Sequence, residues 1–344
     1  MKTGYIYDPI FLEHDTGEHV ENKERLLAVI RHLEETGLTK ELVLVRPRAA
    51  TVDELALVHD KKYLAYIKEF AEKGGGWLDA DTFASGRSYE VATYAAGGLL
   101  EALDRIFSGR LNYAFGLVRP PGHHASGKQA MGFCLFNNVA IAAKYAVYKY
   151  ELDRAMIIDF DVHHGNGTQE ALYGNHRLLY LSIHQSPHYP NTGAIEESGR
   201  GMARGTNVNI PLPAGCGDIE YLRVFREVVE PIARRFKPEL ILVSAGYDIL
   251  SDDSMGGMQL TTSGLAKMTA VIKGLADELC QGRLLLSLEG GYQQQALASA
   301  VAATISVLLG DKKAESLMGE PPHQLGAPDI DNIIAKVRKV HQLF

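Results

Sequence analysis

The sequence predicts an α/β fold in which a parallel β-sheet is covered by helices on both faces. From about residue 110 onward, short and nearly unbroken apolar runs alternate with longer segments that carry apolar residues at helical spacing. Such runs are typical of strands buried on both faces, and their alternation with helices favours a parallel sheet. We predict strands at 112–118, 155–160, 178–183, 240–245 and 283–288, and helices at 138–149, 219–236, 263–279 and 294–309.

The first hundred residues are predicted to be mostly helical. Segment 24–35 carries an apolar stripe at helical spacing, and 88–107 is a second long amphipathic segment. The glycines at 74–76 indicate a loop, because three glycines are too few for a flexible domain linker. No repeat or low-complexity tract divides the chain, so residues 1–344 are predicted to form a single domain.

Composition narrows the class of protein. Hydrophobic residues make up 46% of the chain and charged residues 22%, which is ordinary for a soluble globular protein. The formal net charge of -7 disfavours direct binding of nucleic acid, which needs a broad basic surface. The sequence has no membrane-length apolar run and no apolar signal-peptide core at its start. Its three cysteines are widely spaced, which fits a reducing compartment, and we expect a cytoplasmic protein.

Two of the predicted strands are followed by side chains that could hold a metal ion. Asp159, Asp161 and His163 alternate along the chain and therefore share one face of an extended segment, and Asp248 follows a second strand. Ligands of open parallel sheets bind beyond the carboxyl ends of the strands, so we expect these groups to converge. Ligation by Asp161, His163 and Asp248 would leave a position open for water and substrate, as in catalytic zinc sites. Oxygen-rich ligation also suits Fe²⁺, Co²⁺ or Mn²⁺.

Two further loops carry candidate catalytic groups. His123 and His124 form a tandem pair in a loop rich in proline and glycine, and imidazole suits acid–base chemistry near neutral pH. Seven of the thirteen histidines lie between positions 123 and 188, which favours a function for this pair. In the run 288–292, two glycines allow a close backbone approach to a ligand, and the Tyr292 hydroxyl can donate to a developing oxyanion.

Together these segments resemble the superfamily of histone deacetylases, acetylpolyamine amidohydrolases and acetoin-utilisation proteins. The matching segments, in the order of that family, are RPPGHHA (119–125), GFCLFNN (132–138), DFDVHHGNGTQ (159–169), SPHYPNTG (186–193), SAGYD (244–248) and LEGGY (288–292). The resemblance implies an arginase-like three-layer fold with the active site at the carboxyl ends of the strands. It also implies a metal-dependent deacetylase that hydrolyses the acetyl amide of acetyl-lysine or of a similar N-acetylated amine.

The resemblance further implies a role for each matching residue. The zinc ligands would be Asp161, His163 and Asp248. A metal-activated water would attack the amide, with His124 as general base and acid, His123 as its electrostatic partner and Tyr292 as oxyanion donor. Asp159 would orient His123, and Asn166 stands beside His124 where class I enzymes have an aspartate, which makes the sequence similar to class II. The residues alone leave the division of labour between the two histidines open.

The walls of the acyl-lysine tunnel and a structural potassium ion are also implied. Gly132, Phe133 and Tyr189 would line the tunnel, and Met255 stands where a polyamine-specific relative has a gatekeeper glutamate. Potassium, bound largely through backbone carbonyls, would lie at Asp159, Asp161, His163 and Ser182.

Departures from the family concern the rim of the tunnel. Segment 14–25 resembles the HPExPxR segment of the family but lacks both prolines, and 74–89 is too short for the dimerising insertion of bacterial acetylpolyamine enzymes. Acetylpolyamine hydrolysis, a binuclear manganese ureohydrolase and a non-catalytic acyl-lysine binding protein stay open as alternatives. The oligomeric state is open as well.

Overall fold

The core of the protein is one eight-stranded parallel sheet. The structure is a computed structural model and describes residues 1–311 and 326–343. Its strands are β1 (Thr3–Ile6), β2 (Val43–Val45), β3 (Gly75–Trp77), β4 (Phe83–Ser85), β5 (Tyr113–Gly116), β6 (Ala155–Asp159), β7 (Leu178–Gln185), β8 (Asn207–Leu212), β9 (Ile241–Ala245) and β10 (Leu284–Leu288). The sheet has the order β2-β1-β5-β10-β9-β6-β7-β8 and every neighbouring pair is parallel. A separate antiparallel hairpin pairs β3 with β4.

Helices form a layer on each face of this sheet. They are α1 (Lys23–Glu35), α2 (Val52–Leu55), α3 (Lys61–Glu72), α4 (Ser88–Phe107), α5 (Asn138–Lys149), α6 (Asn166–Leu172), α7 (Asp218–Val224), α8 (Glu230–Phe236), α9 (Thr262–Leu279), α10 (Gln294–Leu309) and α11 (Asp331–Val340). In one layer α4 packs on α5, and in the other α1, α9 and α10 pack side by side. Among the helices described, none has the length and apolarity needed to cross a membrane.

The predicted α/β fold is confirmed. The five predicted strands are β5, β6, β7, β9 and β10, and their ends differ from the prediction by at most two residues. The segment predicted as one helix at 219–236 consists of α7 and α8 joined by a π-helical turn at Phe225–Val229. Because β5, β10, β9 and β6 are neighbours, the loops that follow them meet at one edge of the sheet. The predicted metal ligands, the tandem histidines and Tyr292 lie in those loops.

The prediction of a mostly helical first hundred residues misses β1, β2 and the β3–β4 hairpin. These strands have only three or four residues, too few for a two-residue period to stand out from a helical pattern. Strand β8 was also missed, because Asn207 and Asn209 interrupt its apolar residues and Pro211 lies within it. Strand β8 lies at the edge of the sheet, where proline is tolerated.

A buried ion network anchors the proline-free segment 14–25 to the sheet. Glu21 accepts hydrogen bonds from Arg25 at 2.9 Å and from Nε of Arg119 at 2.6 Å, and all three side chains are buried. Burial opposes ionisation of Glu21, but the two arginines hold the pKa of its carboxyl well below the usual range. Since Arg25 lies in α1 and Arg119 follows β5, one carboxylate fixes the position of three parts of the chain.

Removing that charge should destabilise the protein strongly. We expect Glu21→Gln to lower the free energy of unfolding by about 3–5 kcal/mol, because it leaves two buried guanidinium groups without a carboxylate. Urea denaturation followed by circular dichroism measures the change. The control is Glu18→Gln at a nearby exposed position, which should change it by less than about 0.5 kcal/mol. Equal effects of the two substitutions would contradict the anchoring role.

Candidate active site

Three side chains from two adjacent strands converge on one point beyond the sheet. Asp161 and His163 follow β6, and Asp248 follows β9, which pairs with β6. One ligand atom of each lies within 4.8 Å of the others. Nδ1 of His163 is 3.0 Å from Oδ1 of Asp161 and 3.3 Å from Oδ2 of Asp248. The three predicted metal ligands therefore form one buried cluster of the donor types that divalent transition metals bind.

This cluster fits a divalent cation on electrostatic grounds. Oδ2 of Asp248 is buried and has no hydrogen-bond partner within the part of the chain that the structure describes. Burial, together with the charge of Asp161, raises the pKa of Asp248 to about 7. Two carboxylates buried side by side are unfavourable unless a cation lies between them. Asp161, His163 and Asp248 would hold that cation.

Backbone groups orient the two carboxylates. The Gly290 N–H donates to Oδ2 of Asp161 at 2.9 Å, and the Val162 N–H donates to Oδ1 of Asp248 at 3.0 Å. A Cβ atom on Gly290 would lie 2.1 Å from Oδ2 of Asp248, which no real contact allows. The second residue of the Gly290–Gly291 pair has φ +114°. Glycine is therefore required here both for space and for backbone conformation.

The tandem histidines lie beside this cluster, and each is held by one polar partner. Nδ1 of His123 is 3.2 Å from Oδ2 of Asp159, and Nδ1 of His124 is 2.8 Å from Oδ1 of Asn166. An amide oxygen can only accept, so Nδ1 of His124 is the donor and its Nε2 is left as an acceptor. The two rings lie 4.0 Å apart, centroid to centroid.

Their surroundings give the two histidines opposite pKa shifts. Burial disfavours the charged ring of His123, but the carboxylates of Asp161 and Asp159 outweigh it and raise the pKa of His123 to about 10. Burial, with the neighbouring charges of His123 and His163, holds the pKa of His124 well below its usual value. The pair therefore combines one ring that favours the charged state with one that favours the neutral state.

The loop that carries the histidines is fixed by Glu289, to which sequence reasoning assigned no role. Its buried carboxylate accepts from the N–H groups of Gly122 at 2.7 Å and His123 at 3.2 Å, and from the Ser244 hydroxyl at 3.1 Å. Burial raises the pKa of Glu289 to about 7. An acidic residue directly after a buried strand was the available signal, but its partners are mostly backbone groups, which leave no spacing in the sequence.

A cavity of about 260 Å³ adjoins the histidines and the metal cluster. Phe133 and Tyr189 are aromatic walls of this cavity, with ring centroids 5.8 Å from Tyr292 and 5.2 Å from His124, respectively. All four predicted tunnel residues line it. The complete lining is Asp81, Pro121, His123, His124, Gly132, Phe133, His163, His188, Tyr189, Met255, Gly290 and Tyr292.

Tyr292 contacts both a cation and an aromatic ring. The guanidinium carbon of Arg25 lies 4.8 Å from the centroid of the Tyr292 ring, and the Phe133 ring makes an edge-on contact with it at 5.8 Å. Arg25 also donates to the backbone carbonyls of Gly291 and Glu289, both at 2.6 Å. Burial raises the pKa of Tyr292 well above its usual value, so the hydroxyl keeps its proton as a hydrogen-bond donor.

The remaining predicted residues lie behind the cavity. Asp159 and Asn166 contact the histidines from there, and Asp159 also accepts from the Tyr180 hydroxyl at 2.8 Å. Ser182 is buried in β7 as the register partner of Asp159, and its Oγ is 2.9 Å from Nδ1 of His184. The potassium site at Asp159, Asp161, His163 and Ser182 stays a prediction.

Two cavity residues, His188 and Asp81, were missed by sequence reasoning. Nε2 of His188 is 2.8 Å from the Met255 carbonyl, and its ring stacks on that of His163 at 4.8 Å. His188 lies within the singled-out segment 186–193, so a signal was present. Asp81 accepts from the Gly132 N–H at 3.2 Å, but it comes from the β3–β4 hairpin, far from every motif in sequence.

Comparison with known proteins identifies the family. Residues 19–308 match the histone deacetylase domain. The chain belongs to the histone deacetylase family. Histone deacetylase 14, chloroplastic, of Arabidopsis thaliana is 38% identical over 351 residues, covering 96% of this chain and 83% of that protein. A probable deacetylase of Archaeoglobus fulgidus is 39% identical over 295 residues, covering 85% of this chain and 82% of that protein.

Solved structures agree with this histone deacetylase assignment. The crystal structure of the HDA15 HD domain superposes with a TM-score of 0.90 at 33% identity, covering 100% of this chain and 95% of that chain. The resemblance noted in the sequence and the arginase-like α/β fold are confirmed. The protein is a deacetylase enzyme, as predicted.

Loss of one acidic ligand should abolish metal binding. We expect Asp248→Asn to lower the bound divalent metal from about one ion per chain to below about 0.1, because a ligating carboxylate is replaced by a neutral amide. Dialysis against trace metal followed by elemental analysis measures the content. Asp252→Asn, at a nearby exposed carboxylate, is the control and should keep the metal. Full metal occupancy in Asp248→Asn would place the site elsewhere.

Proposed function

We propose that this deacetylase hydrolyses the acetyl amide of acetyl-lysine in proteins or peptides, with zinc held by Asp161, His163 and Asp248. The observation that supports the proposal best is the position of the aromatic cavity. It adjoins the candidate metal ligands and is lined by both histidines and by Tyr292. One carbonyl carbon placed there would lie within reach of all the groups that amide hydrolysis needs.

The cavity suits a flat acyl group on an aliphatic stem. Phe133 and Tyr189 give it apolar aromatic surfaces, against which methylene groups pack favourably. Its volume of about 260 Å³ is small, which favours an extended side chain over a bulky ligand. Met255 adds a further apolar surface where a glutamate would attract a second cationic group of a polyamine. Of these features, Met255 is the one that favours acetyl-lysine over acetylspermidine.

Proton transfer is assigned to the histidine pair. With Nδ1 of His124 donating to Asn166, Nε2 can accept a proton from the attacking water. The same proton, or one from His123, then passes to the leaving amine. Asp159 holds His123 at 3.2 Å, which keeps its ring beside His124 through both steps. Asn166 in place of an aspartate supports the class II-like assignment.

We assign the stabilisation of negative charge on the reacting carbonyl oxygen to Tyr292 and to the metal. Zinc, when bound, would supply Lewis acidity to the carbonyl and lower the pKa of water from ~15.7 towards ~7. The Tyr292 hydroxyl donates a hydrogen bond to the oxygen as negative charge develops on it. Arg25 and Phe133 fix the ring, so the donor is already oriented before the substrate enters.

A structural potassium ion and a cytoplasmic location complete the proposal. Asp159 and Ser182 are register partners on adjacent strands, so the residues that would hold potassium lie close together in the fold. The three cysteines are all free and buried, which supports a reducing compartment.

Tyr292→Phe should separate catalysis from metal binding. We expect kcat to fall by about 100- to 1000-fold, the usual effect of losing one oxyanion donor, while metal content stays near one ion per chain. Steady-state kinetics and elemental analysis on the same preparation measure both. Wild-type activity in Tyr292→Phe would remove the oxyanion role. Loss of metal would instead indicate that the variant is misfolded.

The substrate assignment is tested with two compounds in parallel. The zinc-loaded protein is assayed with a fluorogenic acetyl-lysine peptide and with N-acetylspermidine. We expect turnover of the peptide, abolished by a chelator and restored by zinc. Turnover of acetylspermidine alone would favour the polyamine reading. If the metal-loaded protein binds the peptide but does not hydrolyse it, a non-catalytic acyl-lysine binding protein is favoured. A stoichiometry of two metal ions per chain would favour a ureohydrolase-like site.

A further inference from the structure

Asp253 is a buried carboxylate to which neither the sequence motifs nor the proposed chemistry assigns a role. It is 5% exposed and lies five residues beyond the candidate ligand Asp248. Three backbone N–H groups donate to it. Oδ2 accepts from Tyr292 at 2.5 Å and from Gln293 at 2.9 Å, and Oδ1 accepts from Met255 at 2.9 Å.

These three bonds join two walls of the cavity. Tyr292 and Met255 both line it, and they belong to different loops, one after β10 and one after β9. The Met255 carbonyl is 2.8 Å from Nε2 of His188, whose ring stacks on His163. The carboxylate of Asp253 is therefore the point at which the Tyr292 wall is tied to the wall that backs the metal cluster.

Arg25 and Asp161 hold the residues just before Tyr292, and Asp253 holds the backbone N–H groups of Tyr292 and Gln293 themselves. Gly290 and Gly291 precede the tyrosine and have the widest backbone freedom of any residue type. Gln293 follows and caps α10, so the N–H groups of Tyr292 and Gln293 lie at the amino end of that helix. An anionic acceptor there is favoured by the helix dipole and by charge-assisted hydrogen bonds.

We infer that Asp253 is a positioning residue for Tyr292. Its carboxylate sets where the hydroxyl stands relative to Asp161, His163 and Asp248, and how far Tyr292 lies from Met255 across the cavity. The inference rests on the proposed oxyanion role of Tyr292. Asparagine cannot replace this group, because both carboxylate oxygens of Asp253 accept hydrogen bonds from N–H groups. An asparagine side chain has only one acceptor oxygen, and its NH₂ group would face N–H donors at the other position.

The kinetic test uses Asp253→Asn in two backgrounds. We expect it to lower kcat by about 10- to 100-fold with KM changed by less than about threefold, because a shift of about 1 Å in a catalytic group costs up to about 100-fold. In a Tyr292→Phe background the same substitution should cost less than about threefold, since the group that it positions is gone. An equal loss in both backgrounds would show a general structural effect and overturn the inference.

Asp252→Asn provides the matched control. Asp252 is the adjacent residue in the same loop but is exposed, and it accepts from the Ser251 hydroxyl at 3.5 Å. Its substitution should leave kcat, KM and metal content within about twofold of wild type. Asp253→Asn should likewise keep about one metal ion per chain. Loss of metal would mean that Asp253 supports the ligands rather than Tyr292, and would overturn the inference.

Amide hydrogen exchange tests the tie without reference to turnover. In the wild-type protein, the amides of Met255, Tyr292 and Gln293 should exchange at least about 100-fold more slowly than unprotected loop amides. In Asp253→Asn we expect at least one of the two loops to exchange about tenfold faster, with no change in Asp252→Asn. Unprotected amides in the wild type would overturn the inference even if Asp253→Asn does not fold. If these amides are protected but the protein hydrolyses no acetyl-lysine, the hydrogen bonds of Asp253 are supported and the proposed deacetylation of acetyl-lysine is rejected instead.

Discussion

Four buried acidic side chains at the ends of the central strands set the arrangement of everything around them. Asp159 is the last residue of β6 and Asp161 lies two residues beyond it, while Asp248 comes after β9 and Glu289 after β10. Placing that much negative charge in a low-dielectric interior is unfavourable unless each oxygen finds a donor or a cation. The carboxylates therefore need hydrogen-bond donors or a cation around them, and the surrounding loops adopt conformations that place such groups there.

Most of the hydrogen-bond donors to these carboxylates are backbone N–H groups. Asp248 accepts from the N–H of Val162, and Asp161 accepts from that of Gly290. Glu289 accepts from the N–H groups of Gly122 and His123. Each of these loops is consequently held in part by an acid that follows a different strand of the sheet. One oxygen, Oδ2 of Asp248, is left over among the described residues, and it faces the point where Asp161 and His163 also meet. The scaffold thus supplies donors to nearly all oxygens of these four acids, and the remaining oxygen lies where a divalent cation would bind.

This division explains what the sequence could and could not predict. The side chains that converge at the cavity could be selected from the sequence, because Asp161 and His163 lie at two-residue spacing after a strand and His123 and His124 are adjacent. Glu289 and Asp253 were not, since their partners are N–H groups that every residue except proline carries. Short strands such as β1 and β2 were also not predicted. Their position depends on pairing with β5 and with each other rather than on a sequence pattern of their own. His188 and Asp81 reach the cavity from loops whose paths only the folded structure defines.

Segment 14–25 contacts both the aromatic wall of the cavity and the Tyr292 loop. Proline would stiffen this segment by fixing φ, but here the buried carboxylate of Glu21 fixes it instead, through Arg119 and Arg25. Arg25 in turn donates to the carbonyls on either side of Gly290 and lies over the Tyr292 ring. Two residues before Glu21, His19 contacts Phe133 of the cavity wall and the exposed Trp77. One segment therefore reaches the cavity wall through His19 and the Tyr292 loop through Arg25, so a substitution at His19 can alter the wall while the buried ion network still holds the Tyr292 loop.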